Sequence, residues 1–188
     1  WSGTSTYAGN YDVSGGADPQ VRGQPGTLWL PPGANLAVRA PYKVGVPPGS
    51  HTFGAITVDA GAELYCHSTY SSSTAFTGCQ ITAANVEIKV GGVISGDEAG
   101  FAPLAGPGGS AAGASHGGRG GGSLPAYGDA LFPATLGSGG KALSGDGGGT
   151  ASPHFGGGAI KLAVTGTLTV QGTLRSNGGY QAGGPSGS

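Results

Sequence analysis

The stretch that most limits what this chain can fold into is residues 158–177, GAIKLAVTGTLTVQGTLRSN. Its even positions are Ile160, Leu162, Val164, Gly166, Leu168, Val170, Gly172 and Leu174. The odd positions between them are Lys161, Ala163, Thr165, Thr167, Thr169, Gln171, Thr173 and Arg175. Only an extended chain puts alternate side chains on opposite faces, so this stretch forms sheet with one buried side. A helix would scatter the same apolar residues around its circumference. Gly166 and Gly172 interrupt the apolar row, and the chain is expected to bend at them.

The pattern recurs. Residues 55–66, AITVDAGAELYC, alternate in the same way. In 79–97, CQITAANVEIKVGGVISGD, a shift of 80 places Val86, Ile88, Val90, Gly92 and Ile94 on Gly166, Leu168, Val170, Gly172 and Leu174. The parity slips by one near Ile81. Inward positions agree and outward ones vary, as in stacked repeats that share a core. Upstream, apolar-x-apolar-Pro-Pro-Gly occurs at 28–33 and again 16 residues later, at 44–49. Proline followed by glycine suits a type II turn.

Glycine supplies 43 and proline 13 of the 188 residues, a level at which low-complexity disorder has to be considered. Disordered chains usually carry high net charge and lack spaced aliphatics. This chain is 9% charged with a formal net charge of -1, so a folded β scaffold with Gly-rich loops is the better reading. Near-neutrality also gives no electrostatic footprint for nucleic acid or an anionic membrane. No apolar run approaches the roughly 20 residues a membrane span needs. The sequence has no methionine and starts at Trp1, from which we expect a processed chain or a fragment, with a secretion signal removed upstream.

The two cysteines, Cys66 and Cys79, cannot by themselves make a tetrahedral zinc site. A disulfide in an oxidising compartment is expected, closing a short Ser/Thr-rich loop; two buried thiols are the alternative. The chain divides into an N-terminal arm or cap, 1–26, and a β domain, 27–188, with a Gly-rich insertion at about 99–157. Trp1, Tyr7 and Tyr11 are candidate anchors of the arm, either on a neighbouring copy or on the domain's own end. The insertion is either a long mobile loop or a segment packed through its own backbone, which glycine permits.

Two architectures fit: an antiparallel sandwich and a parallel β-helix. A sandwich needs hairpin turns between alternating runs, and no strand pattern follows Asn177-Gly178. The phrases GGVISGD, SHGGRGGG, AYGDALFPATLGSGG and GGGAIKLAVTGTLTVQGTLRSNGG, in that order, resemble glycine-rich β-helical regions of large secreted and cell-surface proteins of plants, protists and bacteria. The resemblance covers about residues 54–182. It implies a right-handed parallel β-helix in an extracellular setting and supplies no catalytic residues. Leu28, Leu30, Val86, Ile88, Leu168 and Val170 are the expected core.

Candidate sites are few. An enzyme would have to recruit His116, Arg119, Asp129 and His154 from the Gly-rich segment, but no nucleophile motif accompanies them. Asp97-Glu98 is the one adjacent acidic pair. SHGGRGGG lacks the Gly-Lys-Ser/Thr ending of a phosphate loop. Thr165, Thr167 and Thr169 form a TxTxT row of the kind found on ice-binding surfaces, without a matching row at Asn85, Glu87 and Lys89. Ser68, Thr69, Ser71, Ser72, Ser73 and Thr74 are candidate O-glycosylation sites or a solvated loop. Trp29, Tyr65, Tyr70 and Tyr127 are the aromatics available to a glycan-binding groove. The sequence-level expectation is therefore an extracellular, non-enzymatic structural protein without cofactors, polymerising head to tail with itself. A carbohydrate-binding or adhesin module is the alternative.

Overall fold

A computed structural model describes residues 30–109, 114–116, 124–129, 134–140 and 154–179. The proposed arm, with Trp1, Tyr7 and Tyr11, lies outside these residues, as do Leu28, Trp29 and Arg119. The described fold is all-β. In chain order the strands are β1 Leu36–Val38, β2 Lys43–Val46, β3 Gly49–Val58, β4 Glu63–Cys66, β5 Thr69–Tyr70 and β6 Phe76–Thr77. They are followed by β7 Cys79–Ile88, β8 Val93–Ser95, β9 Ile160–Val164, β10 Leu168–Val170 and β11 Thr173–Arg175.

Successive passes of the chain return to the same two sheets. One runs β1-β3-β7-β10, with β9 also on β7; the other runs β11-β8-β4-β2. Every pairing in both is parallel, and only the small β5-β6 hairpin is antiparallel. The registers line up apolar columns: Leu36, Ile56, Val86 and Leu168, then Val38, Val58, Ile88 and Val170. In the second sheet the column is Val44, Leu64, Ile94 and Leu174. Ile56, Val58, Leu64, Val86, Ile88 and Ile94 are at most 1% exposed. Period-two alternation thus becomes a shared interior, each fully covered aliphatic contributing about 1.5–3 kcal/mol gross.

The parity slip falls after Ala83. Cys79, Ile81 and Ala83 point inward, Ala84 and Asn85 are both exposed, and Val86 and Ile88 point inward again. The bend divides β7's pairing between β9 and β10. The chain turns at Gly166 and Gly172 as expected, separating β9, β10 and β11.

Corner length corrects the sequence alignment. Four residues join β1 to β2, β3 to β4 and β7 to β8, with N–H to C=O bonds Tyr42 to Arg39, Ala62 to Asp59 and Gly92 to Lys89. Gly61 (φ +74°) and Gly91 (φ +80°) take the left-handed third position that a type II turn reserves for glycine. Only Gln171 and Gly172 join β10 to β11. The offset is therefore 80 between β8 and β11 but 82 between β7 and β10, since Leu168 pairs with Val86. Val90, expected inside, sits on the longer corner and is 70% exposed.

The Gly-rich segment has a packed part. Gly100 N–H donates to the Gly156 carbonyl at 2.8 Å, Gly156 N–H to Phe101 at 2.9 Å, Phe101 N–H to Gly137 at 3.0 Å, and Gly137 N–H to Gly157 at 2.8 Å. Gly140 N–H reaches the His154 carbonyl at 3.0 Å, and Gly179 N–H the Phe155 carbonyl at 2.8 Å. Three glycine-bearing segments are thus joined backbone to backbone, outside any strand. Phe101 and Leu136, both buried, form a second small core beneath them with Ala159. The hairpin docks on this layer: Tyr70 and Phe76 pack on Phe101 at 4.8 and 6.0 Å between ring centroids, and Ala102 N–H donates to Tyr70 Oη at 3.0 Å.

Candidate functional site

The sheets end at β1 and β2 on one side and at β9, β10 and β11 on the other. Among the described residues, β10 is paired only with β7, and β11 only with β8. Leu168 and Val170 are each 48% exposed and Leu174 45%, although their column neighbours Val86, Ile88 and Ile94 are at most 1% exposed. Leu168 and Val170 were expected in the core. They continue its columns, but no further strand covers them among the described residues. The result is an apolar strip along an open parallel edge, where backbone N–H and C=O groups also lack ladder partners.

Polar contacts fix this end. Asp97 Oδ2 pairs with Arg175 Nε at 2.6 Å, and its Oδ1 accepts the Asn177 N–H at 2.8 Å. Asp97 is therefore a brace for β11. Two further ion pairs link neighbouring passes, Lys89 with Asp59 at 2.7 Å and Lys43 with Glu63 at 3.2 Å. Ser95 Oγ donates to Glu63 Oε1 as well. Exposed pairs of this kind are screened by solvent and add little to stability.

Two asparagines hold the passes together. Asn35 Oδ1 accepts the Ala55 N–H at 2.8 Å, and Asn85 Oδ1 accepts the Thr167 N–H at 3.0 Å. Asn35 precedes β1 and Asn85 lies at the bend within β7, each one residue before the aligned apolar column of Leu36 and Val86, and a glycine of the next pass lies over it. A Cβ on Gly54 would come within 2.5 Å of Asn35 Oδ1, and one on Gly166 within 2.7 Å of Asn85 Oδ1. The readable signal was Asn-Leu at 35–36 and Asn-Val at 85–86 in equivalent register.

Of the other candidate residues, His116, Asp129 and His154 are among the described residues. His116 Nε2 is 2.8 Å from Thr135 Oγ1, while His154 Nε2 is buried without a hydrogen-bond partner. Asp129 is exposed. Tyr127 Oη donates to the Leu136 carbonyl at 2.6 Å and lies 2.7 Å from Ser138 Oγ; burial pushes its phenol above the usual range. Among the described residues, no cluster of three or more His, Cys, Asp or Glu side chains suits a metal ion. Of the three threonines, only Thr169 is in a strand, facing Glu87; Thr165 lies at the bend, so the row is not flat.

The aromatics are individually engaged. Lys43 Nζ stands 3.9 Å above the Tyr65 ring, His67 meets its edge at 4.7 Å, and Tyr65 Oη donates to the Asp97 carbonyl at 2.8 Å. Burial, then the nearby acids Glu98, Asp97 and Glu63, raise the Tyr65 phenol. Tyr70 is spent on Phe101. An open concavity of roughly 320 Å³ lies in the β5-β6 hairpin, between Tyr70 and Phe76. No family model, curated protein or solved structure matches the chain.

Cys66 ends β4 and Cys79 begins β7, both inward-facing and at most 1% exposed. The structure holds them as free thiols rather than the expected disulfide. A side-chain hydrogen bond with Cys79, then burial, pushes the Cys66 thiol up. Within the Ser/Thr-rich loop, Ser71, Ser72, Ser73 and Thr74 are exposed around the hairpin turn, and Thr69 is exposed on β5. Ser68 differs, with a buried Oγ that has no hydrogen-bond partner.

Proposed function

We propose that this chain is an extracellular structural protein, a subunit of a surface fibre or filament that adds copies end to end by pairing strand edges. The observation that carries this reading is the open edge of β10 and β11, with Leu168, Val170 and Leu174 each about half exposed in otherwise buried columns. An edge with apolar side chains and unpaired backbone templates further strands. A second copy is the natural occupant, because one supply of chain then covers every end but the last.

The same reading takes the two parallel sheets as faces of a right-handed parallel β-helix. Register supports it: Leu36 pairs with Ile56 after 20 residues, Ile56 with Val86 after 30, and the hairpin accounts for the longer interval. Handedness follows from the strong preference of parallel crossovers for the right-handed form.

Sedimentation across a concentration series, with electron microscopy of the same samples, tests the assembly. Growth with concentration is expected, as is its loss on L168D/V170D with folding retained. A wild-type chain that stays monomeric at high concentration overturns the proposal.

In an extracellular setting the thiol pair would become the disulfide. The two thiols would give up two protons and two electrons to oxygen or to a disulfide-bearing oxidant, and one S–S bond would form. Protein collected from an oxidising medium is then expected to show no alkylatable thiol when denatured, until a reductant is added. Free thiols before reduction would leave a buried thiol pair instead.

A further inference from the structure

We infer that Asn177-Gly178 is a site of spontaneous modification: Asn177 loses its side-chain amide as ammonia while the chain stays folded, and the product loosens the hold of Asp97 and Glu98 on the end of β11. This is independent of the end-to-end reading above, since it needs a single copy of the chain.

The fold leaves both reacting groups free. Asn177 is exposed, and its side-chain amide makes no hydrogen bond among the described residues. Its backbone is held on both sides. The Asn177 N–H donates to Asp97 Oδ1 at 2.8 Å, and the Asn177 carbonyl accepts the Glu98 N–H at 2.8 Å. One residue further, the Gly179 N–H donates to the Phe155 carbonyl. The Gly178 N–H between them donates to nothing among the described residues. Its nitrogen is the nucleophile. Packing explains why it belongs to a glycine, because a Cβ at 178 would stand 3.1 Å from the Phe155 carbonyl oxygen. The residue that fits against the glycine layer is also the one with no side chain to hinder ring closure. Asn35 and Asn85 lack this arrangement. Each spends Oδ1 on a backbone N–H, and the branched Leu36 and Val86 follow them.

The Gly178 nitrogen bonds to Asn177 Cγ and passes its proton through solvent to the departing nitrogen. The Cγ–Nδ2 bond breaks, and ammonia leaves behind a cyclic succinimide. Water then opens the ring. Opening at Cγ gives an aspartate, and opening at the backbone carbonyl gives an isoaspartate, whose main chain is longer by one carbon. One water is consumed for each ammonia released, and nothing is oxidised or reduced. Ring closure rotates the Asn177-Gly178 peptide, so the Glu98 hydrogen bond opens first, a local event at the exposed end of the sheet. Either product sets a new carboxylate beside Asp97 and Glu98, where Arg175 is already paired with Asp97. The isoaspartate also puts the N–H and carbonyl of residue 177 out of step with their two partners.

The folded protein is held in mildly alkaline buffer and sampled over time. The tryptic peptide that begins at Ser176 is then followed by mass spectrometry, and isoaspartate is labelled with an isoaspartyl methyltransferase. Conversion is expected at residue 177, with Asn35 and Asn85 unchanged over the same period. In the aged sample the amides of Gly96 and Glu98, which donate to the Arg175 and Asn177 carbonyls, should exchange with deuterium faster than in fresh protein. Asn177→Gln should show neither change. Residue 177 staying intact in the folded chain while converting in urea would overturn the inference, because the fold would then protect the site. Conversion without faster exchange at Glu98, or the same faster exchange in aged Asn177→Gln, would overturn it too. None of these outcomes touches the assembly reading.

Discussion

Gly139→Ala is expected to lower stability by about 3 kcal/mol or more, at the top of the range for overpacking, while Gly140→Ala next to it changes stability by about 0.5 kcal/mol or less. A Cβ on Gly139 would overlap the Ala102 carbonyl oxygen, and one on Gly140 would meet only the His154 Cβ at 3.7 Å. The obstacle at 139 is backbone, which cannot swing aside as a flexible side chain can. Gly156→Ala should behave like Gly139→Ala, since its Cβ would overlap the Gly137 carbonyl. Denaturant midpoints of the three variants check this. Equal tolerance at 139 and 140 would show that the three segments are not held at backbone contact.

The second large effect compares one substitution at two heights of one column. Leu64→Ala is expected to cost 2–5 kcal/mol, because Leu64 is 0% exposed and packed from both sides. Leu174→Ala removes the same atoms from a side chain that is 45% exposed, and should cost the monomer about half as much or less. In assembled material the gap should narrow, because a covered Leu174 becomes a core residue. Unfolding measured below and above the assembly concentration checks both statements. A Leu174→Ala cost that is already large in the monomer would mean that this end is closed within one chain.

Much of the sheet architecture was legible because one rule governs it. Side chains two apart share a face, so Ile56, Val58, Leu64, Val86, Ile88 and Ile94 could be named as inward from alternation alone. Cys66 shares parity with Leu64, and Cys79 with Ile81, which is why both thiols face the interior. Register was less legible. The shift of 80 fitted β8 and β11 but misplaced β10 by two, because Val90-Gly91 lengthen one corner and corners carry no alternation to count. The exposure of Leu168 and Val170 could not be read at all: their own pattern matches a core strand, and what differs is that no pass lies beyond them among the described residues. Asn35 and Asn85 were visible as letters, but their role depends on a backbone N–H 20 and 82 residues away. The glycine layer is the least legible element. Alternation encodes where side chains go, and Gly100, Gly137 and Gly156 have none.

That layer has a thermal consequence. Its cohesion comes from amide groups meeting amide groups, with Phe101 and Leu136 as its chief apolar cover. Unfolding apolar surface raises heat capacity, and unfolding polar surface lowers it. The aliphatic columns should therefore weaken on cooling in the ordinary way, whereas the backbone-packed glycines should follow a flatter curve. Two parts of one small chain would then answer temperature differently, the sheets governing behaviour in the heat and the glycines persisting in the cold.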